Sequence, residues 1–111
     1  MSRAKNETLA PEQLASVARL FSVLSEPNRL QLLQALLPGP LSVGQLVEAT
    51  GLKQANVSRH LAVLFDHHLV SRRRDGANIY YQITDPAIFA LCEVVCDKVR
   101  RDAKKITSLF A

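Results

Sequence analysis

Two cysteines and a set of polar and basic residues hold the chemistry of this sequence. Cys92 and Cys96 stand four apart in a stretch of helical apolar spacing, so both side chains share one helix face, about 5–6 Å apart at Cβ. A disulfide prefers about 3.5–4.5 Å between Cβ atoms, so a direct bond would be strained. A bridging atom removes the strain: a soft metalloid or metal between two thiolates, or one or more inserted sulfur atoms. Cysteine is also a small hydrophobe, and Cys92 falls on the apolar stripe of its helix, so packing alone is the competing reading. Glu93 and Asp97 beside the pair disfavour thiolates, whereas Lys98 and Arg100 favour them.

The second set lies upstream. On a helix from about Gln54 to His67, advancing 100° per residue, Leu61, Leu64 and His68 fall within about 40° of Val57, with Phe65 further round. Ala55, Arg59 and Ala62 lie opposite, flanked by Gln54 and Ser58, so the exposed side of the first two turns reads Gln54, Ala55, Ser58 and Arg59. These side-chain types read base edges: Gln pairs with adenine, Arg with guanine, Ser with either, and Ala packs on a thymine methyl. A solvated helix face has the same composition, so the arginines that follow matter. Arg72-Arg73-Arg74 precedes Asp75-Gly76; such a run suits phosphates or a minor groove, Asp75 partly offsets it, and in a strand Arg73 faces away from Arg72 and Arg74. His60 falls at about −60°, at the core edge, and reads as a packing residue. His67 and His68 are adjacent on a helix end and make a poor metal pair.

The remaining elements position these groups. Residues 1–10 read as a flexible arm and 11–111 as one domain. Pro11 opens a helix with Leu14, Val17, Ala18, Phe21 and Leu24 at helical spacing. Ser25 and Pro27 begin a second, with Leu30, Leu33, Leu36 and Leu37 on its face, ended by Pro38-Gly39-Pro40. Ser42 and Gln45 form a capping box for a short third helix to about Ala49. Thr50-Gly51-Leu52 is the turn of a helix-turn-helix, and Lys53 is a poor cap for the helix that follows, a cost of about 1 kcal/mol. Residues 69–83 alternate about Asp75-Gly76, a β-hairpin. Asp85-Pro86 then opens a long helix, about 86–108, with Ile88, Cys92, Val95, Val99, Ile106 and Leu109 on one stripe. The order α-α-α-α-β-β-α is mainly helical with a small wing: a winged helix-turn-helix. The apolar stripes of the two terminal helices leave a hydrophobic surface that a homodimer would cover.

Composition sets the class. The 111 residues carry a net charge of +4, which suits a nucleic-acid partner, and 48% hydrophobic residues, which suits a globular chain. Apolar runs stop short of the roughly 18–20 residues a membrane span needs, and no signal-peptide core opens the chain, so a cytoplasmic protein with reduced thiols is expected. No catalytic triad, P-loop or dinucleotide fingerprint occurs, so an enzyme is not expected. A thiol-transfer site at Cys92 and Cys96 and a protein-binding winged helix are the alternatives.

Leu24-Ser-Glu-Pro-Asn-Arg-Leu30, Val57-Ser-Arg-His-Leu61 and the wing end Ile79-Tyr-Tyr-Gln-Ile83 resemble the ArsR/SmtB family of winged-helix repressors over about residues 12–100. The resemblance implies a homodimer, joined through its first and last helices, on an imperfect palindrome of double-stranded DNA. It also implies release of that operator when an inducer binds. The family's Cys-x-Cys metalloid motif is absent, since Ser42-Val-Gly44 stands there. Its zinc site on the last helix is absent too: Asp85 matches one ligand, but Ala87 stands where histidine should follow. No cofactor is expected for folding. The remaining inducer site is Cys92 with Cys96, for an arsenite- or antimonite-type species, another metal, or sulfur or redox modification.

Overall fold

The computed structural model describes residues 8–110, with side chains through Thr107. Most of the arm expected over 1–10, and the side chain of Leu109, lie outside the described residues. Helix α1 (Pro11–Leu24) begins at the expected proline, where the Gln13 side chain accepts the Ala10 N–H at 2.8 Å. Helix α2 (Pro27–Leu36) follows at once. Its cap is Glu26 rather than Ser25: the Glu26 carboxylate accepts the Asn28 N–H at 2.9 and 3.2 Å, while the Ser25 hydroxyl closes α1 by donating to the Ser22 carbonyl. The buried face of α2 is Leu32, Leu33 and Leu36; Leu30, expected there, is 45% exposed.

A two-residue strand β1 (Leu41–Ser42), not foreseen, leads into α3 (Val43–Thr50). The Ser42/Gln45 capping box is formed in both directions, at 2.9 and 3.2 Å. Gly51 ends α3 at φ 74°, a left-handed conformation that costs glycine little, and its N–H donates to the Val47 carbonyl. Three residues separate α3 from α4 (Gln54–Asp66), whose cap Lys53 makes no side-chain bond, as expected. Helix α4 stops one residue early for a local reason. His68 takes φ 62°, the Leu69 N–H returns to the Leu64 carbonyl at 2.9 Å, and the His68 N–H to that of Phe65 at 3.0 Å. This is a Schellman ending with buried Leu64 and Leu69 as its apolar pair. His68 is therefore exposed, not on the buried face where an uninterrupted helix would put it.

Strands β2 (Ser71–Asp75) and β3 (Asn78–Gln82) form the wing, turning through Gly76 and Ala77. The antiparallel sheet has the order β1-β3-β2, with Leu41 opposite Tyr81 and Arg72 on the other side of the same tyrosine. Tyr81 and Ile83 point into the core with Val57, Leu61 and Leu64 of α4, Leu46 of α3 and the α2 leucines. Helix α5 (Pro86–Phe110) starts on Asp85, whose carboxylate accepts the Ala87 N–H at 2.8 Å. It leans on the core through Ile88, Phe89, Leu91 and Cys92. Ile88 is thus a core residue, not part of the free stripe. From Glu93 to Thr107 every side chain except Cys96 is exposed. Among the described residues, no helix is long and apolar enough to cross a membrane.

Candidate nucleic-acid interface and thiol groove

Burial of Val57, Leu61 and Leu64 sets the roll of α4, and the opposite side follows from it. Gln54, Ala55, Ser58 and Arg59 are all exposed on its first two turns. The Arg59 guanidinium rests on the Asn56 side-chain oxygen at 3.2 Å, one turn back, so it is held along the helix near the N-terminal end. His60 is buried at 5% exposure, in keeping with its expected packing role.

The wing arginines divide as the alternation predicts, and the register adds detail. Arg72 and Arg74 stand opposite Tyr81 and Ile79, and Arg73 stands opposite Tyr80. Arg73 is drawn to its own face, 3.7 Å from the Asp75 carboxylate and 5.7 Å from the Tyr80 ring centroid. Arg72 lies 4.0 Å over the Phe65 ring, a cation–π contact that ties the wing to the last turn of α4. Arg74 is exposed and has no ion pair among the described residues. The Phe65 contact had no signal in the one-dimensional pattern, because it joins a helix face to a strand face.

Cys92 and Cys96 are both free, half-buried thiols. The spacing argument placed them together, and both line one groove of about 740 Å³ between α5 and the α1–α2 pair. The other walls are almost wholly apolar, with Phe21, Leu24, Leu30, Leu37 and Val99 among them. Burial pushes the Cys92 thiol above its ordinary pKa, and the neighbouring Cys96 adds to the rise. The two cations expected to favour thiolates are already engaged: Arg100 pairs with Asp97 and Lys98 with Asp102. Among the described residues, no group of three or more His, Cys, Asp or Glu side chains is placed to hold a metal ion. His67 and His68 are both exposed at the end of α4, away from this groove's walls.

Known proteins share both the sequence and this architecture. Residues 26–72 match the family described as "Bacterial regulatory protein, arsR family". The chain is similar to a probable mercury resistance operon repressor of Streptomyces lividans, 42% identical over 66% of this chain and 58% of that protein's length. It is 34% identical to a transcriptional repressor SmtB homolog of Synechocystis sp., over 85% of this chain and 71% of the relative. The crystal structure of the AntR antimony-specific transcriptional repressor superposes with a TM-score of 0.80 at 31% identity, covering 94% of this chain and 96% of that one. The chain belongs to the ArsR family of bacterial regulatory proteins, winged-helix transcriptional regulators rather than enzymes.

Proposed function

We propose that this chain is a cytoplasmic, homodimeric DNA-binding repressor whose operator is released when a thiophilic inducer is captured by Cys92 and Cys96. The single observation that carries the DNA-binding part is the N-terminal half of α4, which exposes Gln54, Ala55, Ser58 and Arg59 while Val57, Leu61 and Leu64 are fully buried. Such a helix enters a major groove by its first turns, and the dimer sets two of them about one DNA turn, or a multiple, apart. Arg74 reaches backbone phosphate from the wing, and Arg72, stacked on Phe65, holds the wing to α4 while presenting its charge to the same strand.

The inducer class follows from the groove. A trivalent metalloid hydroxide of the arsenite or antimonite type is neutral, so it enters an apolar cleft without the cost of desolvating an ion. Each thiol exchanges its proton for a sulfur–metalloid bond and releases one water from a hydroxide ligand. Two such bonds form on Cys92 and Cys96. A repressor whose described structure resembles this one is antimony-specific, which supports the same class. The experiment that tests the whole reading is enrichment of a binding duplex from a randomised library. Release of that duplex is then measured with arsenite, antimonite, zinc, cadmium, persulfide and peroxide. Failure to enrich any duplex, or release by none of these, counts against it.

Two expected results bear on the DNA face. Arg59→Ala and Gln54→Ala each weaken binding to the enriched duplex by about 1–3 kcal/mol and leave the melting transition in place, because neither side chain is in the core. Wild-type affinity in the folded variants would remove α4 as the reading helix. Arg74→Ala weakens all duplexes alike and flattens the plot of log affinity against log salt by about one unit. An unchanged slope would mean that the wing misses the backbone.

A further inference from the structure

The first turn of α2 has two faces with different tasks. Pro27, Leu30 and Gln31 form part of the thiol groove. Glu26 and Arg29 point the other way, to His60 of α4. The Arg29 Nε–H donates to the Val23 carbonyl of α1 at 2.7 Å, and its Nη1 lies 3.4 Å from His60 Nδ1. The Glu26 carboxylate lies 3.9 Å from His60 Nε2, an atom with no hydrogen-bond partner among the described residues. A buried polar nitrogen without a partner is uncommon and calls for an explanation.

We infer that Glu26 and Arg29 are positioning residues for DNA binding: they hold α4 in its reading pose through the neutral imidazole of His60, and a second proton on that ring releases the hold. A guanidinium only donates hydrogen bonds, so Nδ1 accepts from Arg29 and the ring's single proton sits on Nε2, facing Glu26. A second proton on Nδ1 would set donor against donor in a site with little access to water. Glu26 alone attracts that charged ring, and it is already occupied in capping Asn28. The charged groups that face the ring are Glu26 and Arg29 of α2 and Arg59 beside it on α4. Burial lowers the pKa of His60 below 6.5; Glu26 opposes the fall, and Arg59 and Arg29 add to it. The neutral ring is therefore the working form at neutral pH, and the hold weakens as pH falls through the lowered value. Arg59 is the next residue along the helix from His60, so a small roll of α4 displaces a side chain assigned to the bases.

The inference rests on the reading of α4 as the DNA-contacting helix, and its test separates the two. The chain has three histidines, so His67→Gln with His68→Asn leaves His60 alone. Both replaced residues are exposed, and Asn tolerates the left-handed backbone of position 68. In this background the His60 ring is titrated by NMR, and affinity for the enriched duplex and the circular dichroism signal are followed over the same pH range. The expected result is a fall in affinity of about fivefold or more as His60 protonates, while the chain stays folded. His60→Gln, added to the background, should bind with little change across that range. Arg29→Gln should bind more weakly at neutral pH and also lose the dependence. Protonation of His60 without loss of affinity would overturn the inference, and so would unfolding in step with it, since His60 would then be a stability residue only. Should His60→Gln fail to fold, the titration of the single-histidine background decides alone. Enrichment of no duplex would sink the DNA-reading assignment and the inference with it.

Discussion

Val99→Glu is expected to give a folded monomer that binds the enriched duplex about 10²–10⁴-fold more weakly than the parent chain. Val99 is 61% exposed on α5 and Phe21 is 54% exposed on α1, and the two walls they belong to face each other across the thiol groove. Leu14, Val95 and Ile106 extend this apolar surface along the same two helices. A surface of that extent left in water marks an association site. A second copy that lays its own α1 and α5 against it buries these side chains and ties two α4 helices together. The binding of one half-site then presents the other at high effective concentration, which is the source of the large expected loss on separation. A carboxylate at position 99 would place a charge in that apolar seam, where the adjacent Arg100 is already paired with Asp97. The core is untouched, so the melting transition should survive. Sedimentation velocity checks the mass, and a Val99→Glu dimer with unchanged DNA affinity would place the interface elsewhere.

The elements legible in the sequence are those whose signal is local. Ser42 with Gln45, and Asp85 with Pro86, each mark a helix start by chemistry that acts within four residues, and both caps are formed as read. The hairpin was legible for the same reason: Gly76 takes the left-handed φ its turn requires, and the alternation of Ile79, Tyr81 and Ile83 is the pleat itself. β1 was not legible, because two residues carry no period, and its pairing to Tyr80 and Tyr81 is decided by the sheet across 37 and 39 intervening positions. Periodicity alone put Leu30 in the core, but α2 has two apolar sides. Leu32 serves the inner one and Leu30 the groove. His68 went astray because an angular projection assumes that the helix continues, whereas the Leu64–Leu69 bond ends it.

The candidate sites divide along the same line. The exposed set Gln54, Ala55, Ser58 and Arg59 and the shared face of Cys92 and Cys96 follow from spacing within one helix, and one helix is enough to foresee them. The stacking of Arg72 on Phe65 and the Glu26–His60–Arg29 contacts need two elements docked at a definite distance. No property of α2 or α4 taken singly points to them. The balance of charge at the thiols is likewise not settled by the sequence, which sets Glu93 and Asp97 against Lys98 and Arg100. Helical geometry gives each of them a carboxylate three or four residues off, which spacing alone allowed.

Cys92→Ser and Cys96→Ser are each expected to bind the enriched duplex as well as the parent chain but to lose release by antimonite. The parent should lose about 100-fold in affinity, which needs only about 2.7 kcal/mol of coupling between the two sites. That coupling exists only if the sulfur–metalloid bonds form better in the DNA-free state. The groove gives a structural route to such a difference. Its walls include Pro27 and Leu30, on the turn of α2 whose other face holds His60, and they include the α1 and α5 surfaces assigned to the dimer seam. An occupant that draws Cys92 and Cys96 together therefore acts on both the setting of α4 and the spacing between copies. The order of inducers is expected to follow the protonation state of Cys92. Burial and the neighbouring sulfur keep Cys92 protonated beyond the range of an ordinary thiol. A divalent cation has to enter the apolar cleft as a charge and release both thiol protons to solvent, and Asp97 and Asp102 occupy the nearby positive charges. A metalloid hydroxide carries its own acceptor for each proton and leaves a neutral product in the cleft. Antimonite and arsenite should accordingly release DNA at concentrations where zinc and cadmium do not. Serine at either position keeps the size of the side chain and removes the soft donor, so a packing role would leave release intact. Release of DNA by antimonite from both serine variants, at the parent's concentration, would reduce the two cysteines to packing residues and move the sensor off α5.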